Sequence, residues 1–392
     1  MNIIAITPDR DQYILPLSNH LMHPLVFLRS LEWEELINLN PAAVLFLGDW
    51  LFEHEQLIIK CKEQNIPTIL LMDGIIEWKH FFENPKWSFG GHEAPYFPVQ
   101  CDKIFVPGAS TYRFLEFFGN QGKCEITGFP RFDHYKAIEN TSVNKNGKKV
   151  IGIMSGNTAG YTPEQIKQSK ILFEDIFYWA QGNSEIEVLW RLRKGFEKIL
   201  DIEITNEPSK DLIDFLSKTD AVVCQPSTAA YEAMLLGLPT ALADYSIAPN
   251  YMHAAWEIHS KEQIDVVMKS ITNPHPLKIS LQQHFLDETL AWQGKSAETA
   301  SKLINAIIEA KQQAPKQELP ANMFMAFTHD IKENNQLTNA LFTHQMAYRF
   351  NDINRLRESY TKLEQQLNRL TKALRRRTPG FWMERLINKV FK

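Results

Sequence analysis

Short, almost uninterrupted apolar runs return along most of this chain with helix-patterned segments between them, and that alternation constrains the fold more than any other feature. Residues 2–7, 42–48, 67–73, 103–106 and 124–127 each read as a strand with few polar interruptions, and helical patterns over 53–64 and 111–120 lie between them. A strand without a polar face must be covered on both sides, and intervening helices let successive strands run parallel. A polar run, 129–148, then carries Pro130 and closes in Asn-Lys-Asn-Gly-Lys-Lys, which reads as a linker. The series resumes with strands predicted at 150–155, 187–190, 221–225 and 239–243 and helices at 163–181, 209–218, 228–236 and 261–272. The reading is α/β: two doubly wound, Rossmann-like domains, 1–130 and 149–315, joined by a linker at 131–148, with a cleft between the carboxyl ends of their strands.

Length agrees, since 392 residues exceed what one core comfortably serves. At 44% hydrophobic and 22% charged the chain is of globular composition, and no run approaches the roughly 18 apolar residues of a membrane span. The apolar start is too short for a secretory signal. Cys61, Cys101, Cys124 and Cys224 are widely spaced with no CxxC pair, arguing against a zinc site or a disulfide framework and for a reducing cytoplasm.

The net charge of −4 conceals an asymmetry. Residues 345–392 hold 12 Lys+Arg against 4 Asp+Glu, leaving 30 basic and 42 acidic residues in the first 344. An acidic body disfavours nucleic acid, and the basic tail suits a negatively charged surface. After a polar break at 312–320 and a connector over 316–344, a heptad seam runs through Ile353, Leu356, Tyr360, Leu363, Leu367, Leu370 and Leu374. It predicts a coiled coil over 345–377 and a homo-oligomer; a single helix folded back on the body fits the same pattern. Arg375, Arg376 and Arg377 precede a Thr-Pro-Gly break. Over 379–392, Trp382, Met383, Leu386, Ile387, Val390 and Phe391 then share one helix half. Aromatic residues on a basic amphipathic helix suit an anionic membrane surface, and also an apolar groove on a partner.

The strongest local signal runs from Asp220 to Thr240: a buried strand, a turn with Ser227 and Thr228, then a helix ending at Gly237. The helix N-terminus offers backbone N–H groups and a positive dipole end to a phosphate, and Glu232 follows one turn in, placed to accept from ribose hydroxyls. A capped core helix would read the same way. This stretch resembles the nucleotide-binding element of the second domain of GT-B glycosyltransferases. Cys101-Asp-Lys-Ile-Phe-Val-Pro-Gly108 and Glu125-Ile-Thr-Gly-Phe-Pro-Arg-Phe-Asp133 are similar to the end of the first domain in bacterial surface-polysaccharide transferases. The resemblance spans about residues 1–315 and implies that Ser227, Thr228 and Glu232 hold the donor's phosphate and ribose. Teichoic-acid polyol-phosphate transferases are expected to show His-Gly where this chain has Asp73-Gly74, which lowers that option.

Other candidates come from the residues themselves. Ser155, Gly156 and Asn157 end a strand in small hydrogen-bonding groups that allow close approach to a phosphate, as any tight turn would. Arg191, Arg193 and Lys194 follow another strand, where cations would offset charge on a departing nucleotide. In the first domain Asp73 ends an apolar strand and is ranked first as the acid–base group, then Glu77, with His80 and His92 behind. A raised carboxyl pKa would suit activation of an acceptor hydroxyl. The surrounding insertion contains Trp78, Phe81, Phe82, Trp87, Phe89, Tyr96 and Phe97, whose faces suit sugar rings. Asp244 to Trp256 is a further candidate for lining the donor site.

No DxD motif appears in the pattern typical of metal-dependent GT-A enzymes, so a catalytic metal is not expected; no cofactor is expected either. The expected function is a metal-independent glycosyltransferase. Its donor is a nucleotide-sugar, and its acceptor is a lipid-linked surface-polysaccharide intermediate. It would be cytoplasmic and peripheral on the inner membrane face. The alternatives are a CDP-polyol phosphotransferase or nucleotide-sugar epimerase on the same fold, or a non-catalytic assembly scaffold.

Overall fold

The computed structural model describes residues 1–7, 11–47, 52–85, 96, 98–138, 147–246, 252–321 and 323. Met1–Met325 form one compact unit. The remainder, with the expected coiled coil and the tail residues Arg375, Arg376, Arg377, Trp382, Leu386 and Val390, lies outside the described residues, as does His92.

Within that unit stand two parallel sheets, as the apolar runs predict. The first is built from β1 (Asn2–Ile6), β2 (Leu25–Leu28), β3 (Pro41–Phe46), β4 (Thr68–Leu71), β5 (Lys103–Val106) and β6 (Cys124–Ile126), in spatial order 2-1-3-4-5-6. The second comprises β7 (Lys149–Met154), β8 (Ile186–Arg191), β9 (Ala221–Cys224), β10 (Thr240–Ala243) and β11 (Trp256–Ile258), in order 11-10-9-7-8. Central strands such as β4 and β9 are buried along their whole length, the burial that their unbroken apolar sequence requires. In each sheet the winding direction reverses once: between β1 and β3 in the first, between β7 and β9 in the second. Ligands of open parallel sheets bind at the carboxyl ends beside such a reversal. Met154 and Cys224 are register partners across the second reversal, which sets the 155–157 turn directly beside the Gln225–Ser227 turn.

The chain does not stay in its second lobe as the expected span 149–315 required. Helices α1 (Asp11–Ile14), α2 (Trp33–Asn38), α3 (Phe52–Glu63) and α4 (Ala109–Phe117) belong to the first sheet. Helices α5 (Pro163–Gln181), α6 (Leu212–Leu216), α7 (Thr228–Leu235) and α8 (Lys261–Thr272) belong to the second. After α9 (Pro276–Thr289), α10 (Ser296–Gln313) returns to the first lobe. Its Ala297, Ala300, Leu303, Ile304, Ile307 and Ile308 join the core of Ile3, Ala5, Leu45 and Ile69. Each buried Ile or Leu of that stripe contributes about 1.5–3 kcal/mol, which makes the crossing a structural bond between the lobes.

The expected linker is more ordered at its start than a linker needs to be. Pro130–Ala137 forms a 3-10 helix, and the Asp133 carboxylate accepts from the Ser296 and Ala297 amides at 2.9 and 2.7 Å, capping α10. Gly128 sits at φ +76°, where an added Cβ would meet Ser296 Oγ at 2.3 Å and the Ala291 carbonyl at 2.4 Å. The Gly-Phe-Pro-Arg-Phe-Asp motif is therefore the socket for the returning helix.

Candidate functional site

The carboxyl ends of both sheets open onto one cavity of about 940 Å³. On the first-lobe side it is lined by Asp73, Glu77 and His80. On the second-lobe side it is lined by Ser155, Gly156 and Asn157 after β7, Arg191 and Arg193 at the end of β8, and Ser227 and Thr228 at the start of α7. The structure thus gathers candidates that lie far apart in sequence.

The second-lobe wall is built to attract an anion. Ser227 occupies the N-cap position of α7 in extended conformation, φ −165°, and its side chain does not cap the helix. The first turn of α7 thus presents backbone N–H groups that no intrahelical carbonyl can satisfy, together with the positive end of its dipole. Arg191 is half-buried, its guanidinium 5.9 Å from the Phe215 ring centre, and Arg193 and Lys194 add charge at the rim.

The 155–157 turn lines the cavity and is itself tied down by hydrogen bonds. The Gly156 amide is already donated to Gln225 Oε1 at 3.0 Å, and Ser155 Oγ accepts from the Arg193 amide at 2.8 Å. Asn157 Oδ1 accepts from Arg193 Nη2 at 2.7 Å. The turn splices β7 to β8 and β9 and aims Arg193. Glu232 departs from expectation. It does not line the cavity; its carboxylate accepts the Tyr135 hydroxyl from the linker helix, and burial raises its pKa. Likewise, the described parts of 244–256 lie outside the lining: Trp256 opens β11, and Asp244 pairs with Lys79 at 2.7 Å.

The first-lobe wall carries titratable side chains, Asp73, Glu77 and His80. Burial pushes the Glu77 carboxyl up to about 7, with Asp244 adding to the shift and Lys79 and a hydrogen bond from Tyr161 opposing it. Glu77, ranked second in the sequence, thus carries a raised carboxyl just ahead of a π-helix at Lys79–Glu83. Asp73 contributes its carbonyl, which accepts from Arg131 Nη2 at 3.2 Å. Trp87, Phe89 and Phe97 of the aromatic insertion lie outside the described residues; among those described, Phe81 and Tyr96 reach the cavity, stacked with centroids 5.4 Å apart. Trp78 and Phe82 instead pack on one another at 4.2 Å, and Phe82 continues to Phe118. Among the described residues no group of three or more His, Cys, Asp or Glu is placed to hold a metal ion.

Two lobes with these sheet orders and a ligand-sized cleft between their carboxyl ends have structural counterparts. A variant of the wall teichoic acid polymerase TagF soaked with CDPG is similar over 80% of this chain and 90% of that one, at TM-score 0.51 and 12% identity. MnaA from S. aureus, solved with UDP, aligns with 82% of this chain and 100% of its own at TM-score 0.53 and 16% identity. UDP-GlcNAc 2-epimerase from Neisseria meningitidis, bound to UDP-GlcNAc, aligns with 79% and 100% at TM-score 0.52 and 14% identity. The fold is GT-B. No family model and no curated protein matches the chain.

Arg131, Tyr161 and Tyr13 are among the cavity-lining residues that the sequence reading did not name as site residues. Arg131 of the linker helix lines the cavity with its guanidinium 4.4 Å from both the Tyr13 and Phe132 ring centres. Its position immediately after Gly-Phe-Pro was the available signal. Tyr161 and Tyr13 gave none, because each acts through a partner distant in the chain.

Proposed function

We propose that the protein is a glycosyltransferase that moves a sugar from a nucleotide-sugar donor to a surface-polysaccharide acceptor. The carrying observation is that an anion-binding wall (the α7 N-terminus with Arg191 and Arg193) faces Glu77, a carboxyl raised toward neutrality, across one cavity. In this reading the donor diphosphate lies on the α7 side, where Ser227, Thr228 and Arg191 receive it. An acceptor hydroxyl attacks the anomeric carbon and gives its proton to the Glu77 carboxylate. The bond from the anomeric carbon to the phosphate oxygen breaks, and its electron pair leaves with the diphosphate, whose charge Arg191 and the helix dipole offset. Phe81 and Tyr96 offer apolar faces to a sugar ring.

The basic tail supports a lipid-linked acceptor on the cytoplasmic face of a membrane, since a soluble acceptor would need no such anchor. No helix among the described residues is long and apolar enough to cross a membrane. Co-sedimentation with anionic liposomes tests the anchor. Equal binding by the full chain and a form ending before Pro379 refutes it.

The donor is tested by a thermal-shift screen with UDP-, GDP-, CMP-, CDP- and dTDP-linked compounds, followed by nucleotide release with and without acceptor glycan. Stabilisation together with acceptor-dependent release supports the transferase, and no stabilisation by any donor overturns it. A second reading, nucleotide-sugar epimerisation, is favoured by the alignment across the whole of both the MnaA and UDP-GlcNAc 2-epimerase chains. It requires conversion of a donor with no acceptor present.

A further inference from the structure

Tyr161 belongs to the second lobe but acts on the first. Its hydroxyl lies 3.0 Å from His80 Nδ1, and it is also hydrogen-bonded to the Glu77 carboxyl group. A phenol has one proton to donate and lone pairs with which to accept. Both contacts are satisfied together when His80 Nδ1–H donates to Tyr161 Oη and Tyr161 donates to an ionised Glu77.

The backbone holding this tyrosine is tightly located. The Tyr161 amide donates to Gln165 Oε1 at 2.8 Å, within the capping box that Thr162 and Gln165 form at the start of α5. Gln165 Nε2 then donates across the cleft to Glu83 Oε2 at 2.6 Å, in the π-helix that also carries His80. The loop that ends at Tyr161 begins at Ser155 and Asn157, which aim Arg193. One short loop thus touches both the anion wall and the proton-accepting group.

We propose that Tyr161 is a positioning residue for the acid–base centre: supplied by the nucleotide-side lobe and oriented by His80, it holds the Glu77 carboxylate in its ionised, proton-accepting state. The inference rests on Glu77 being the base. The charged and titratable groups facing Glu77 are Lys79 from its own segment, Asp244 after β10 and Tyr161, with His80 behind Tyr161. Burial and Asp244 raise the carboxyl's proton affinity, whereas Lys79 and Tyr161 lower it. Removing the phenol hydroxyl leaves the opposition to Lys79 alone.

The test compares full-length wild type with Tyr161→Phe in two ways. In pH profiles of kcat/KM with a turned-over donor, the acid limb moves to higher pH by on the order of one unit in Tyr161→Phe, while donor KM stays close to wild type. In thermal unfolding followed across pH, the loss of stability caused by Glu77 ionisation extends to correspondingly higher pH in Tyr161→Phe and is absent in Glu77→Gln. An acid limb unmoved despite lower activity shows a merely structural role and overturns the proposal. If no donor is turned over, the transferase reading fails while the unfolding comparison still decides about Tyr161: coincident stability profiles for wild type and Tyr161→Phe overturn it. Should Tyr161→Phe fail to fold, His80→Gln takes its place, with a smaller shift in the same direction expected and coincidence with wild type overturning the proposal.

Discussion

Lys79 Nζ lies 2.7 Å from the Asp244 carboxylate, with the two side chains only 8% and 13% exposed. The pair joins the π-helix of the first lobe to the segment after β10 in the second, with Lys79 two residues after Glu77. Neither ion is well hydrated, so each depends on the other.

Replacing Lys79 by Met strands the Asp244 charge. Loss of one partner of a buried pair costs about 3–5 kcal/mol, whereas removal of both is far milder. Urea denaturation is therefore expected to show a large loss for Lys79→Met and recovery of most of it in the double variant with Asp244→Asn. Lys79 also lowers the proton affinity of Glu77 and Asp244 raises it, so the single variant moves the acid limb of any Glu77-dependent activity to higher pH. Additive losses in the double variant would sink the coupling.

Glu77 itself makes stability depend on pH. Its carboxyl titrates near 4.5 when unfolded and about 7 when folded, so the native state holds more protons between those values. Stability falls as pH rises from about 4.5 through 7, by on the order of 3 kcal/mol. Glu77→Gln lacks this titration. Its unfolding midpoint is expected to lie close to wild type near pH 5 and above it near pH 8, with transfer activity lost. A constant gap between the two proteins across that range would show that Glu77 is not the titrating group.

The socket for α10 gives a prediction about folding alone. Asp133→Ala removes the acceptor for two amides and is expected to cost about 1–2 kcal/mol. Gly128→Ala is expected to cost more, because it forces a Cβ into both the Ala291 carbonyl and Ser296 while holding φ at +76°. Chemical denaturation ranks the two; the reverse order would mean the backbone at Gly128 relaxes freely.

How much of this was legible beforehand depends on what each element buries. Strands such as β4 and β9 bury every residue and announce themselves as apolar runs. The edge strand β2 is only half-buried, and β11 has three residues, so neither rises above its surroundings. Helix α9 hides for another reason: it buries polar groups. Gln282 accepts from the Thr240 amide and donates to the Leu238 carbonyl, each within 2.9 Å, while Leu277 and Leu281 face outward. At the site, residues at strand ends were legible because parallel sheets place such ends together. Tyr161 was not, since its contacts with His80 and Glu77 exist only once the two lobes meet, and the hydrogen bond from Tyr135 to Glu232 likewise joins residues far apart in the chain.

Arg191 offers the sharpest test of the anion wall. It is the last residue of β8, fixed by its own strand and lying over Phe215, so its guanidinium is in place before any ligand arrives. A preplaced cation loses little entropy on binding, and a charged hydrogen bond contributes about 1.5–3 kcal/mol, a roughly 10- to 150-fold change in affinity. Arg191→Gln is therefore expected to weaken a nucleoside diphosphate by that factor and to leave the corresponding nucleoside nearly unchanged. Isothermal titration of both ligands measures the difference directly. Equal losses for the two would place the base rather than the phosphates beside Arg191, and no loss for either would remove it from the donor site.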